Sequence, residues 1–281
     1  MLEYQDVKKL FLLFIIVYSK INQVINMKID IEKAKKQFIE YTNKYDLKSD
    51  DIKRKIGHSI RVMEISKQIA TKLGLNAQEI ELAELIGLLH DIGRFKQYDE
   101  IGLGDNIEGF DHGDYGVEVL NKDIRKYIKD EQYDEIIKKA VKNHNQFEIE
   151  KGLTQEQLLF AKIIRDADKL DIMYESVELF YKGNEEEVNK SVLIHKVYEQ
   201  FINEKIIKRQ KDIIFEKVND IVCVMAFIYD IYFKQTYEII KEQDYINKTL
   251  DRYNFEDKET KEKMEEMRKI ANEYINEKLK N

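Results

Sequence analysis

Proline and tryptophan are absent from the 281 residues, cysteine occurs once, and glycine only 11 times. Proline and glycine mark turns, strand edges and helix stops, and both are penalised inside helices. A chain this poor in them is ill suited to a turn-rich β fold, and its runs of Glu, Lys, Ile and Leu point to an all-α architecture. The lone thiol, Cys223 within IVCVMAFIYDIYF, excludes an internal disulfide and suits a core position in a reducing, cytoplasmic setting. A net charge of -7 provides no global basic field, so no nucleic-acid polymer is expected as a partner. Long apolar runs are missing too. Leu10 to Tyr18 is apolar throughout, but a membrane span needs about 20 such residues. Charge precedes this run as in a secretory signal, yet no small-residue cleavage site follows. Residues 1–26 are therefore read as an extra helix or a start-site artefact, Met27 being the alternative start, and no membrane association is expected.

What is present is helical periodicity. Residues 30–46 place Ile31, Ala34, Phe38 and Tyr41 on one side, and residues 51–73 form a second amphipathic helix with Gly74 as its stop. The segment 77–91, AQEIELAELIGLLHD, is apolar on nearly every face of its second half. Such a helix must be surrounded by others, so His90 and Asp91 are expected at the end of a central buried rod, with Gly93 as the break. Residues 99–110 read as loop, and Asp111 as the N-cap of a helix through about Leu120. A helix over 133–144 ends at His144, and another from about Gln155 carries RDADKLD and runs on past Met173. Residues 185–241 and 257–280 read as long amphipathic helix, with Tyr229, Tyr232, Phe233 and Tyr237 as a packing stripe. No repeat, linker or low-complexity tract divides the chain. The expected organisation is the apolar segment 1–26, a core over 27–184 and a helical C-terminal extension over 185–281 packed on it.

Four of the five histidines fall at helix ends or starts, where side chains of different helices can converge. His58, the His90-Asp91 pair, His112, His144 and Asp168 together offer four imidazoles and two carboxylates without a thiolate. That donor set suits Fe, Mn, Co, Ni or Zn, whereas a thiolate set would indicate structural zinc. Arg61 lies one turn after His58, Arg94 follows the His90-Asp91 pair, and Lys169 follows Asp168. Each either clamps phosphate oxygens or forms a salt bridge with Asp166, Asp171 or Glu64. Asp166 and Asp171 are placed to orient a histidine or hold Lys169, and Asp114 is a further candidate acid. His195 has no partner pattern and reads as surface or packing.

In HSIRV, LIGLLHDIGRF, DHGDYG, VKNHN and RDADKLD, the sequence resembles the HD-domain metal-dependent phosphohydrolase superfamily over roughly residues 50–180. The resemblance implies an all-helical bundle in which His58, His90, Asp91 and Asp168 bind a first divalent ion. It implies that His112 and His144 are the added ligands of the two-metal branch, with Asp91 bridging; the alternative is that they hydrogen-bond around a single ion. Arg94 stands where many two-metal phosphodiesterases have Lys, which keeps the charge and changes the donor geometry. The implied activity is hydrolysis of a phosphoester of a small molecule, a nucleotide or related compound, by metal-activated hydroxide. Asp91, Arg94 and Lys169 are the expected catalytic residues, and Arg61, Arg94 and Lys169 the substrate-binding ones. Two other readings share the ligand set: a di-iron oxygenase that cleaves a carbon bond with O₂, and a metal-binding nucleotide sensor without catalysis. A homodimer is possible on any of the three.

Overall fold

The computed structural model describes residues 29–102, 110–208 and 217–280. The apolar run at Leu10 to Tyr18 and the alternative start at Met27 lie outside them. No strand occurs among the described residues, and no described helix is long and apolar enough to cross a membrane. The first part consists of α1 (Ile31–Thr42), α2 (Asp50–Lys72), α3 (Ala77–Leu89), α4 (Ile92–Glu100), α5 (His112–Tyr127), α6 (Asp134–Asn143) and α7 (Gln155–Glu178). Local chemistry starts these helices. Ser49 caps α2 through Ile52 N, and reciprocal capping boxes open α3 (Asn76 with Glu79) and α7 (Thr154 with Gln157).

α3 is the rod. Every residue from Leu82 to Leu89 is buried, and α1, α2, α6 and α7 pack around it. Its one buried charge, Glu84, is satisfied by Lys67 at 3.2 Å. Gly87 sets the closest approach, since a Cβ there would lie 2.8 Å from Met63 Cα on α2. The helix stops at His90 and Asp91, not at Gly93: Asp91 has φ -99 and ψ 16, and Gly93 lies inside α4. Its glycine identity serves packing instead, because a Cβ at Gly93 would meet His112 O at 2.2 Å and Gly116 N at 2.4 Å. Gly93→Ala is therefore expected to push α5 and His112 away and to destabilise the fold by about 1–3 kcal/mol. Urea unfolding reads this directly; an unchanged midpoint would show that α5 moves without cost. α5 begins at its Asp111 cap as expected, but continues past Leu120 to Tyr127.

The stretch 185–241 departs from a long helix. Its described residues are broken into α8 (Glu185–Asn189), α9 (His195–Glu199) with a π-helical turn over Gln200–Glu204, α10 (Val218–Met225) and α11 (Lys234–Gln243). α12 (Tyr245–Asp251) and α13 (Lys258–Lys280) follow. Two causes are invisible to local periodicity. Lys205 and Lys217 adopt positive φ, 54° and 61°, without glycine's help. The second cause is tertiary: Asp166 on α7 accepts from Tyr232 N (3.0 Å), Phe233 N (3.1 Å) and Thr236 Oγ1 (2.8 Å). A carboxylate 70 residues away in sequence from Thr236 thus caps α11, where Phe233 supplies no side-chain cap of its own. α10, α11 and α12 pack on α7, and one buried apolar cluster joins Leu85 and Phe160 to Val222, Ile240 and Met267. Cys223 is buried in α10, and His195 is exposed beside Glu199. The aromatic stripe divides: Tyr229 packs edge-on against Phe201 and Tyr274, Tyr237 is buried, and Tyr232 faces out among Lys162, Arg165 and Lys169.

Candidate metal centre

Each helix delivers its candidate ligand at a defined place. His58 comes from the middle of α2 and not from a helix end as expected, His90 and Asp91 from the kink between α3 and α4, His112 from the first turn of α5, His144 from the end of α6, and Asp168 from the middle of α7. The six meet. His58 Nε2 and His90 Nε2 are 3.1 Å apart, as are His112 Nε2 and His144 Nε2. Asp168 Oδ1 lies 3.1 Å from His58 Nε2 and 3.7 Å from His90 Nε2. Asp91 stands between the pairs and divides its oxygens. Oδ2 is 3.6 Å from His58 Nε2 and 3.7 Å from His90 Nε2; Oδ1 is 3.6 Å from His112 Nε2 and 3.4 Å from His144 Nε2. Donors held at about 2.1 Å from one ion and 90–110° apart are themselves about 3.0–3.4 Å apart, close to this spacing. Asp91 with either histidine pair forms a group compact enough to share an ion.

The far ring nitrogens fix the tautomers. His90 Nδ1 donates to Gly87 O at 2.7 Å, His144 Nδ1 to Val141 O at 2.6 Å, and His58 Nδ1 to Asp171 Oδ2 at 2.6 Å. With a proton on Nδ1, each ring turns its Nε2 to the cluster, the nitrogen that ligation requires. Asp171 also receives Arg61 Nε at 2.6 Å and Nη2 at 2.8 Å, and Arg61 reaches Glu175 at 2.7 Å. Arg61 is therefore committed to Asp171 and Glu175, the salt-bridge alternative, and not aimed at the cluster. His58, Asp171 and Glu175 also lie close together, but that guanidinium already supplies their positive charge.

The remaining cations divide as well. Arg94 Nε is 3.7 Å from Asp91 Oδ1, with Nη1 donating to Gln97. Lys169, whose ammonium burial disfavours and Arg165 repels, pairs with Asp230 at 2.8 Å on the side of α7 facing the extension. Asp166 holds the start of α11, not a histidine, and Asp114 is exposed near Lys142. Sequence reasoning missed Lys55, whose Nζ donates to Asp91 Oδ2 at 2.8 Å. The signal was available, since Lys55 is as far before His58 as Arg61 is after it.

Electrostatics follow from this packing. Burial opposes ionisation of Asp91, but Lys55, His90, His144 and Arg94 outweigh it and hold the carboxyl well below the usual range. Asp168 is lowered in the same way by His58 and His90 against its burial. Burial pushes the His112 imidazole down to about 3, helped by His144. His58 goes the other way: burial lowers it, yet hydrogen bonds to Asp168 and Asp171 win and raise it from 6.5 to about 9. Protonated His58 thus favours the chelator-stripped fold fully below about pH 6.5, and that contribution fades as pH rises through about 9. An ion must displace the Nε2 proton. Metal uptake by stripped protein is accordingly expected to strengthen between pH 6.5 and 9 and to release protons, measurable by calorimetry in buffers of different ionisation enthalpy. Uptake independent of pH over that range would contradict the assignment of His58.

Residues 56–173 match the HD domain. The chain carries an HD domain. The match encloses all six converging residues and ends before α8. Among curated proteins, the chain is 29% identical over 124 residues to a deoxyguanosinetriphosphate triphosphohydrolase-like protein of Clostridium tetani, covering 43% of this chain and 34% of that one. It is 36% identical over 85 residues to a protein of the same description from Pelagibacter ubique, covering 28% and 22%. The chain thus spans about a third or less of the length of these relatives. No solved structure matches it.

Proposed function

We propose that this HD domain is a metal-dependent phosphohydrolase that hydrolyses a phosphoester of a small molecule, a nucleotide first of all, and that Asp91 with the two histidine pairs and Asp168 would hold two divalent ions. The observation that carries the reading is the division of Asp91, one oxygen facing each histidine pair. The imidazole and carboxylate donors fit Fe, Mn, Co, Ni or Zn. Ions held there would lower the pKa of water to neutral pH and neutralise charge on phosphoryl oxygens. The nucleotide class is supported by the descriptions of the two relatives, both named for a nucleoside triphosphate.

The chain's own residues bind and orient. Asp168 and His112 are the ligands most open to solvent, their side chains 20% and 10% exposed against 0–2% for the others, so substrate reaches the centre from their side. Lys55 and Arg94, both on Asp91, are the cations placed to take phosphoryl oxygens and stabilise the charge that builds on them. Lys55→Met is expected to lower kcat/KM about 100-fold with ion content unchanged. Ion loss in that variant, measured by elemental analysis, would move Lys55 from substrate to structure.

The decisive test is a panel of nucleoside triphosphates, nucleoside monophosphates and phosphodiesters, given to protein reconstituted with each of the five metals. Hydrolysis of a nucleotide that chelation abolishes is the expected result. Inactivity on every phosphoester, with O₂ consumed by the iron-loaded protein, would overturn the hydrolase in favour of the oxygenase.

A further inference from the structure

The turn after His144 has no regular structure of its own, yet it must hold an imidazole in register with His112. Two elements grip it. From the side of α5, Asp111 accepts from Asn145 Nδ2 at 3.1 Å and Gln146 Nε2 at 2.6 Å. From α7, Arg165 reaches the backbone: Nη1 donates to Asn143 O at 3.1 Å and to Gln146 O, and Nη2 lies 3.4 Å from Phe147 O. Nη2 also pairs with Asp230 of the extension at 3.0 Å. Arg165 is only 4% exposed. A buried guanidinium needs partners, and here three carbonyls of one turn and one carboxylate supply them to Nη1 and Nη2. Its planar fork suits that task, because a lysine presents one nitrogen and cannot span carbonyls of residues 143, 146 and 147 together.

We propose that Arg165 is a positioning residue for the second metal pair: it clamps the turn 143–147 so that His144 faces His112 and Asp91, and Asp230 braces it from the extension. The inference rests on the two-ion reading above for its effect on metal, and on geometry alone for its effect on the turn. Arg165 neighbours the first-ion ligand Asp168 on α7, but its hydrogen bonds go to the turn that carries His144. Loss of the clamp is therefore selective. The His58, His90 and Asp168 group keeps its own supports at Asp171 and Gly87.

Two measurements on the full chain test this. Manganese titration of chelator-stripped protein, followed by calorimetry, should show two ions for the wild type. In Arg165→Met one of them should weaken roughly 10- to 100-fold and the other stay unchanged. Hydrogen exchange of the stripped protein should show faster exchange for amides 143–150 and unchanged exchange around His58 and His90. Arg165→Lys keeps the charge and the pairing to Asp230 and should fall between; it also serves if the methionine variant fails to fold. Equal weakening of both ions, or unchanged exchange in the turn, overturns the proposal. One ion in the wild type would sink the two-ion reading, and the exchange result would still decide the clamp.

Discussion

Asp91→Asn is expected to abolish phosphohydrolysis, by about 1,000-fold or more, and to strip both ions while leaving the helices in place. The size follows from position. Asp91 faces both histidine pairs, with one oxygen 3.6 Å from His58 Nε2 and the other 3.4 Å from His144 Nε2. Asparagine keeps the shape but removes the negative charge, and one of its two faces becomes an NH₂ donor that cannot ligate. A histidine variant should be milder: His144→Ala should lose one ion, and Asp91→Asn both. Elemental analysis beside circular dichroism checks the claim. Equal ion loss in the two variants would mean that Asp91 does not bridge.

The second large effect is expected at a residue that touches no ion. Asp171→Ala should weaken the ion held by His58 about 10- to 100-fold and destabilise the protein by about 3 kcal/mol. Asp171 is fully buried, fixes the Nδ1 proton of His58 and receives two donors of Arg61. Its removal frees the His58 ring to turn and leaves Arg61 with Glu175 as its carboxylate partner. Asp171→Asn separates the two effects, because its amide oxygen can still accept from His58 Nδ1 while the charge opposite Arg61 is gone. Stability should then drop with a smaller loss of metal affinity. A stable Asp171→Ala protein with unchanged metal binding would contradict the supporting role.

The sequence revealed the parts of this molecule whose causes are local. Asp111 announces the start of α5 because its side chain caps its own helix, accepting from Gly113 N and Asp114 N. The all-round apolar stretch 82–89 announces a rod that other helices must cover. From the rod follow the places of His90 and Asp91, whereas the set of six proposed ligands rests on the resemblance to the HD-domain superfamily. Where causes are tertiary, the sequence was silent. α11 starts where it does because Asp166 reaches it from α7, and a long helix over 185–241 was the natural reading without that contact. Arg61 and Lys55 flank His58 symmetrically, and nothing on α2 says which one faces Asp91. Asp171 and Glu175 decide it by engaging Arg61. Gly93 looked like a stop, but its role appears only when α5 is laid against it.

Anomalous diffraction from crystals of the manganese-loaded protein tests the central claim most directly. The account predicts two peaks about 3.5–4 Å apart, one among His58, His90, Asp168 and Asp91 Oδ2, the other among His112, His144 and Asp91 Oδ1. A single peak at the first position would reduce His112 and His144 to hydrogen-bonding groups, and no peak within reach of Asp91 would contradict the account altogether.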